Sequence, residues 1–330
     1  MKYKVEVLTG IRPTNNLTVA NYLGAVAPII EIQKQGMSPV VFVADLHAIT
    51  DKEPAIIRQC VHGVVADYIA LGVEPKKTKI YLQSDIIGEL ATLTTFLARH
   101  ITVAELLRVP TLKDKLKVNM HPETANTLLL LYPVLMAADI LLNRAKKIPV
   151  GEDQLAHIEV TRMIAKRFNK KYGEIFPLPE VLQVKSLRIL SLKGEGKMSK
   201  TNPEGAIFLT DDPKTVTRKI NSAETAFEGV MNEKLESHIL IANGLAKTEL
   251  ERDEINAIIK EHKDGKPVMG KFKQLFAIVT LNFLKEFQIK RAAVMRDPSY
   301  ITSLLKEGRE VAQKNATETI EKVKEVLRFI

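Results

Sequence analysis

With a single cysteine, Cys60, in 330 residues, the chain has no internal disulfide framework and no cysteine-rich zinc site. Cys60 falls in an apolar helical run, the setting of an inert buried thiol rather than a nucleophile. Tryptophan is absent, so an indole brought by a ligand would be the only one in a fluorescence titration. No stretch has the length and apolarity of a membrane span, and there is neither internal repeat nor low-complexity tract. The N-terminus enters a strand by Val5, leaving no room for a signal peptide, so the expected location is cytoplasmic.

What is present describes a globular protein of two domains, 45% hydrophobic and 26% charged. The formal net charge of +9 favours a polyanionic partner, because basic surface attracts phosphate over a distance. The first half alternates strand and helix. Val5 to Leu8 reads as a short strand, and a helical pattern then runs from about Thr18 to Gln35, stopped by Gly36. Pro39 to Ala44 is a continuous apolar run suited to a buried parallel strand. Pro54 opens a helix that reaches Gly72, and Lys79 to Leu82 supplies another strand. This alternation predicts a Rossmann-like parallel sheet with helices on both faces. A helical insertion occupies about 87–144. A helix is predicted from Glu152 to Tyr172, made basic in its later part by Arg162, Lys166, Arg167, Lys170 and Lys171. A further strand is expected at Arg188 to Leu192. From about Asp212 the chain reads as all helical, with long stretches near 247–263, 267–290 and 299–328. The domains are therefore placed at 1–205, an α/β catalytic domain, and 206–330, an all-helical C-terminal domain.

Three polar segments stand out. Pro13 to Asn21 joins the first strand to a helix, where unpaired N–H groups and the helix dipole suit a phosphate; an ordinary helix cap is the plainer reading. Gly196-Lys197-Met198-Ser199-Lys200-Thr201 sets two lysines around a small polar residue, where mobile cations can follow phosphate charge; a solvated basic loop fits as well. Gly151-Glu152-Asp153-Gln154 opens a helix, and its acids are suited to the dipole. Gly265 to Lys271 has P-loop spacing, but Phe272 follows where Ser or Thr is needed and no apolar strand precedes it; it reads as a turn into a helix.

Leu129 to Leu142 is almost wholly apolar apart from Asp139, a carboxylate costly to bury without donors. Tyr132, Met136 and Asp139 are spaced i, i+4, i+7 and share a helix face. An aromatic wall, a thioether and one acceptor suit an indole, whose only polar atom is an N–H donor. A structural aspartate paired with a basic residue remains the alternative. Asp45 to Thr50 follows a strand's C-terminal end, where ligands of doubly wound sheets bind, and makes His47 a pocket-wall candidate.

Taken together, the order and character of these motifs resemble the class I aminoacyl-tRNA synthetases, and their details the tryptophanyl-tRNA synthetase family, over nearly the whole chain. The resemblance implies ATP-dependent activation of L-tryptophan to the adenylate with release of pyrophosphate, followed by transfer to tRNA(Trp). Thr18 and Asn21 stand for the two histidines of the family's first signature, and Ala20 replaces its glycine. Lys197, Lys200 and Lys115 are implied as catalytic lysines on the phosphates, with Lys113 nearby in the insertion. Arg12, Gly151, Glu152, Asp153, Met198, Ser199 and Thr201 join the ATP-binding set. His47, Tyr132, Met136, Asp139 and Gln154 are implied to line the tryptophan pocket. The twelve-residue step from Asp139 to Gly151 is also the family's. Arg12 and Thr111 depart from it, both standing where the family has glutamine. Mg²⁺ would arrive on ATP, with no protein-held metal. The C-terminal helices, with Lys285, Lys290, Arg291 and Arg296, are implied to bind the tRNA anticodon region, and a homodimer is expected. A tyrosyl enzyme and a non-charging RNA- or nucleotide-binding paralogue remain the rival readings.

Overall fold

A computed structural model describes the chain apart from residues 1, 15, 120–124, 152–153, 184–186 and 330, and apart from the side chains of 114, 115 and 117–119. The strands are β1 (Val5–Ile11), β2 (Pro39–Val43), β3 (Lys79–Leu82), β4 (Ala145–Val150) and β5 (Glu180–Gln183). They form one parallel sheet in the order β3-β2-β1-β4-β5, so the chain reverses its direction of travel across the sheet between β1 and β4. In such sheets the crevice at the strands' C-terminal ends beside that reversal is where ligands bind. β2, an unbroken apolar run, is buried at every position, as an inner strand covered on both faces must be.

The helices are α1 (Val19–Asn21), α2 (Ala27–Lys34), α3 (Asp45–Ala48), α4 (Pro54–Leu71), α5 (Ile87–Ala98), α6 (Val103–Leu106), α7 (Pro110–Asn119), α8 (Thr127–Leu142), α9 (Leu155–Tyr172), α10 (Pro213–Asn221), α11 (Glu233–Leu245), α12 (Glu249–Lys263), α13 (Met269–Met295) and α14 (Pro298–Leu327). Between β3 and β4 the chain runs through α5–α8, and the P-loop-like segment is a turn before α13, with Gly265 at φ 82°.

Two expectations change. The helix expected over 18–35 is interrupted by a π-turn at Tyr22–Val26, where Ala27 N–H reaches back to the Tyr22 carbonyl. Pro28 explains it: proline has no N–H to donate and crowds the carbonyl one turn back, so the ladder widens just before it. The strand expected at 188–192 reduces to a single antiparallel bridge between Leu190 and Lys197, because this backbone folds onto its own following loop rather than onto the sheet. β5, in contrast, had no expectation attached to it.

Among the described residues the fold has two apolar cores. One joins Val64 of α4 and Val43 of β2 to Ile207, Leu235, Phe276 and Leu305. The other joins β1 and β2 to α5, α8 and α9, and takes in Ala312, Ala316, Ile320 and Val323 of α14. The last helix therefore returns to cover the edge strand β3. Gly308 makes that approach possible: a Cβ there would sit 1.9 Å from the Ile80 carbonyl oxygen. Lys79–Glu307 at 2.6 Å and Arg144–Glu318 at 3.2 Å brace the same helix.

His238 of α11 is 1% exposed beside Phe276, and among the described residues its Nε2 has no hydrogen-bond partner. Burial, then Lys234 and Lys273, push it down to about 4, while Glu224 opposes them. The unfolded chain binds this proton from about 6.5 downward and the folded chain only near 4. Stability from this site is thus present above pH 6.5 and lost as pH falls towards 4. In His238→Leu, the fall in Tm between pH 6.5 and 4 is expected to be shallower than in the parent by a few degrees; parallel Tm–pH curves would contradict this.

Candidate active site

Asp139 sits in the last turn of the otherwise apolar α8 and is fully buried. Its cost is met by donors from two neighbouring strand ends. Gln83 Nε2 donates to Oδ1 at 3.0 Å and Oδ2 at 2.8 Å, and His47 Nε2 lies 3.1 Å from Oδ2. The Gln83 amide cannot be turned around without loss, because its Oε1 accepts the His47 backbone N–H at 3.2 Å. Asp45 fastens the same two ends. Its Oδ1 accepts from the Leu46 and Ser84 amides, each at 3.0 Å, and its Oδ2 from the Ser84 hydroxyl. Burial pushes the Asp139 carboxyl up, His47 and then Gln83 pull it back, and Asp45 pushes it further up. The net direction is upward, and both Asp139 oxygens serve as acceptors for the Gln83 amide in an apolar helix.

Gln83 and Ser84 were missed by sequence reasoning. Their signal was available: both are polar and follow directly on the apolar strand 79–82, at its C-terminal end.

A second polar group flanks the same helix face. Thr111 of α7 lies 2.7 Å from the Tyr132 hydroxyl and 2.6 Å from His157 Nε2, with Tyr132 and His157 3.3 Å apart. Burial pushes the Tyr132 phenol up, and Thr111 offsets part of it. Thr111, a departure from the resembled pattern, thus takes up a defined polar position. Met136 is half-buried on the face shared by Tyr132 and Asp139, and Gln154, also half-buried, ends the turn from Gly151 into α9. Glu152 and Asp153 lie outside the described residues.

At the sheet's centre the two signature loops meet. Leu209 N–H donates to the Leu17 carbonyl at 2.8 Å, and Val19 N–H to Ile207 at 3.0 Å, so chain leaving the lysine loop pairs with chain entering α1. Thr18 is 2% exposed and forms a capping box with Asn21, which accepts from Thr18 N at 3.0 Å and Oγ1 at 3.1 Å. The Thr18 hydroxyl is therefore occupied by the cap, while Asn21 is exposed and Ala20 half-buried. Arg12 pairs with Asp51 at the surface.

In the lysine loop, Gly194 and Gly196 adopt φ of 77° and 86°, which turns the chain back to form the Leu190–Lys197 bridge. Met198, 7% exposed, anchors it in the core. Lys197 is exposed, and Ser199 and Thr201 share a hydroxyl–hydroxyl bond of 2.9 Å. Lys200 instead turns inward and donates to Thr14 Oγ1 at 3.0 Å. Burial and then Lys52 lower its pKa, and Asp67 and Cys60 oppose them. Lys113 is exposed on α7; the side chain of Lys115, on the same helix, is outside the described set. Of the C-terminal cations, Lys290 pairs with Glu286 and Arg291 turns inward to Asp67. Among the described residues no cluster of His, Cys, Asp and Glu is suited to a metal ion, and no helix is long and apolar enough to cross a membrane.

The raised pKa of Asp139 means that its ionisation opposes folding, a cost that grows as pH rises through the folded value. Asp139→Asn keeps one acceptor for Gln83 and turns an N–H donor to His47, whose Nε2 accepts it in the other tautomer. Its Tm at pH 7–8 is expected to equal or exceed that of the parent by a few degrees. A clear fall would show that the charge stabilises the fold rather than serving a ligand.

Residues 1–285 match the family of tRNA synthetases class I (W and Y). The chain is 34% identical to a tryptophan–tRNA ligase of Treponema pallidum, with 98% of this chain and 96% of that protein covered. It is 35% identical to that of Bacillus subtilis, covering 98% of each. Among solved structures, a tryptophanyl-tRNA synthetase from Campylobacter jejuni complexed with ADP and tryptophan has TM-score 0.81 and 31% identity over 98% of this chain and 99% of that one. The corresponding enzyme from Mycoplasma pneumoniae gives 0.85 and 31%, covering 98% and 97%. The shared sheet, the paired signature loops and these full-length matches agree: this chain belongs to the class I tRNA synthetases for tryptophan and tyrosine.

Proposed function

We propose that the protein is a tryptophan–tRNA ligase. The observation that carries this reading is Asp139, a buried carboxylate oriented by Gln83 and His47 on a face shared with Met136 and Tyr132. An indole offers one N–H and no acceptor, which matches a single acceptor in apolar surroundings. Support comes from relatives named tryptophan–tRNA ligase across nearly their whole length, and from the similar structure holding ADP and tryptophan.

In the first step the tryptophan carboxylate oxygen attacks the α-phosphorus of ATP. One P–O bond forms, the bond to the β-phosphate oxygen breaks, and pyrophosphate leaves. The nucleophile is already charged, so no base is required, and the work is alignment and neutralisation of phosphate charge. Lys197, Lys200 and Lys115 serve the phosphates, with Thr18, Ala20 and Asn21 forming the helix entry against which ATP lies. Gly151 and Asp153 meet the ribose, Gln154 orders the amino-acid pocket, and Mg²⁺ arrives on ATP. In the second step a terminal hydroxyl of tRNA(Trp) takes the acyl group and AMP departs. The boundary near 205 then separates the catalytic part from helices that bind tRNA. A homodimer working in the cytoplasm completes the reading.

Amino-acid-dependent ATP–pyrophosphate exchange tests it. Exchange is expected with tryptophan, and with tyrosine at a kcat/KM lower by roughly 10³ or more, since a site built around one polar group rejects the wrong partner strongly. Lys200→Ala should lower tryptophan-dependent exchange by about 10². Exchange that prefers tyrosine, or none with either amino acid from folded protein, would refute the proposal.

A further inference from the structure

The lysine loop is held from outside as well as by its own glycines. Gly194 lies in the reversal closed by the Leu190–Lys197 bridge, and residues 193–197 are exposed. Peptide groups in so exposed a turn are ordinarily left to water. Here an ion pair takes both polar groups of Gly194. Glu224 Oε1 accepts its N–H at 2.9 Å, and Lys234 Nζ donates to its carbonyl at 2.5 Å. Lys234 also donates to Glu224 Oε2, so the two side chains close on Gly194 together. Both come from the chain beyond 205: Glu224 follows α10, and Lys234 is in the first turn of α11. Their own positions are fixed. Glu224 N–H donates to the Leu192 carbonyl at 3.0 Å, and Ser237 of α11 accepts the Leu190 N–H at 2.8 Å. Lys273 of α13 donates to the Asn221 and Ala223 carbonyls at 2.9 and 2.8 Å, which sets the end of α10 just before Glu224. The Gly194 amide and then Lys234 hold the Glu224 carboxyl below the usual carboxylate range, against a small opposing effect of burial. With side chains 51% and 21% exposed, this ion pair adds little to stability, but its charge-assisted bonds fix a geometry.

We propose that Glu224 and Lys234 are positioning residues that clamp Gly194 and so set how Lys197 is presented to phosphate. The proposal rests on the reading of this loop as a phosphate-binding element. Glycine adopts φ of either sign at little cost, and Gly194 is held at 77°. Released from the clamp, it samples both, and the reversal that directs Lys197 swings with it. ATP binding then carries the cost of ordering the loop, which the clamp otherwise meets in advance. The tryptophan pocket lies on α8 and at the ends of β2 and β3, away from these contacts, so the effect is confined to the nucleotide. The helices beyond 205 thereby hold the loop by its exposed turn as well as by its buried root.

The test is trypsin cleavage of the full-length protein after Lys193 and Lys197, read by fragment mass, with and without Mg·ATP. Without ATP, Glu224→Ala and Lys234→Met are expected to be cut there about threefold faster than the parent or more. Both should need about threefold more Mg·ATP, or above, for half-protection. Glu224→Gln keeps an acceptor for the Gly194 amide and should stay nearer the parent than Glu224→Ala. The double variant should add little to either single one, since both act on the same glycine. In ATP–pyrophosphate exchange, KM for ATP should rise by the same factor, with KM for tryptophan and kcat within about twofold of the parent. Cleavage spread along the chain with a falling Tm would mark a pair that only supports the fold, and would overturn the inference. Variants cut and protected as the parent is would overturn it too. Tryptophan-dependent exchange in a parent whose loop ATP does not protect would refute this inference and leave the activation reading standing. Protection in the expected order of variants, with no exchange, would do the reverse.

Discussion

A carboxylate with no exposure to water is the constraint around which this site is organised. Asp139 is tolerable in an apolar helix only because Gln83 and His47 supply donors, and those residues can reach it only from the C-terminal ends of β3 and β2. The Asp45–Ser84 contacts fix these two ends to each other, so the pocket floor is a cross-linked polar network rather than a set of independent side chains. Such a network is stable only when complete. That requires the strand order, the placement of α8 and the turn at Gln83–Ile86 all to be correct together.

The phosphate side depends on a different device, backbone pairing between segments almost two hundred residues apart. Leu17–Val19 and Ile207–Leu209 exchange hydrogen bonds, so both signature loops are set on one frame, and Lys200 reaches across it to Thr14. The chain beyond 205 is not a remote appendage. α13 packs on α4, and α14 lies against β3, with Gly308 touching the Ile80 carbonyl. The turn that holds Gln83 begins directly after β3. The pocket floor is thus backed by the last helix, and α4 is tied to α13 through Asp67 and Arg291.

Much of this was legible in the sequence, for reasons that can be named. β2 and β3 were found because apolar runs bounded by turns are what buried parallel strands require, and α4 because Pro54 and Gly72 mark its ends. Asp139 declared itself as a lone charge among leucines. The π-turn was not anticipated because its cause is one residue, Pro28, whose effect lies in the preceding turn. The Leu190 segment looked like a strand because it is apolar, but Ile189 and Leu192 are buried in the core shared by α4, β2 and the C-terminal helices while its backbone pairs with its own following loop. Partnerships such as Gln83 with Asp139 or Arg291 with Asp67 span 56 and 224 residues, and no local periodicity encodes them.

The central claim is that Asp139 is kept as an acceptor for one N–H. Calorimetry with L-tryptophan and with its benzothienyl analogue, which replaces the indole N–H by sulfur at nearly constant shape, tests it most directly. The account predicts that the analogue binds at least about tenfold more weakly, because a buried acceptor is left without its donor. It also predicts that the gap narrows when Asp139 is replaced by asparagine. Equal affinity for the two ligands would show that the pocket reads shape alone, and that Asp139 is buried for another reason.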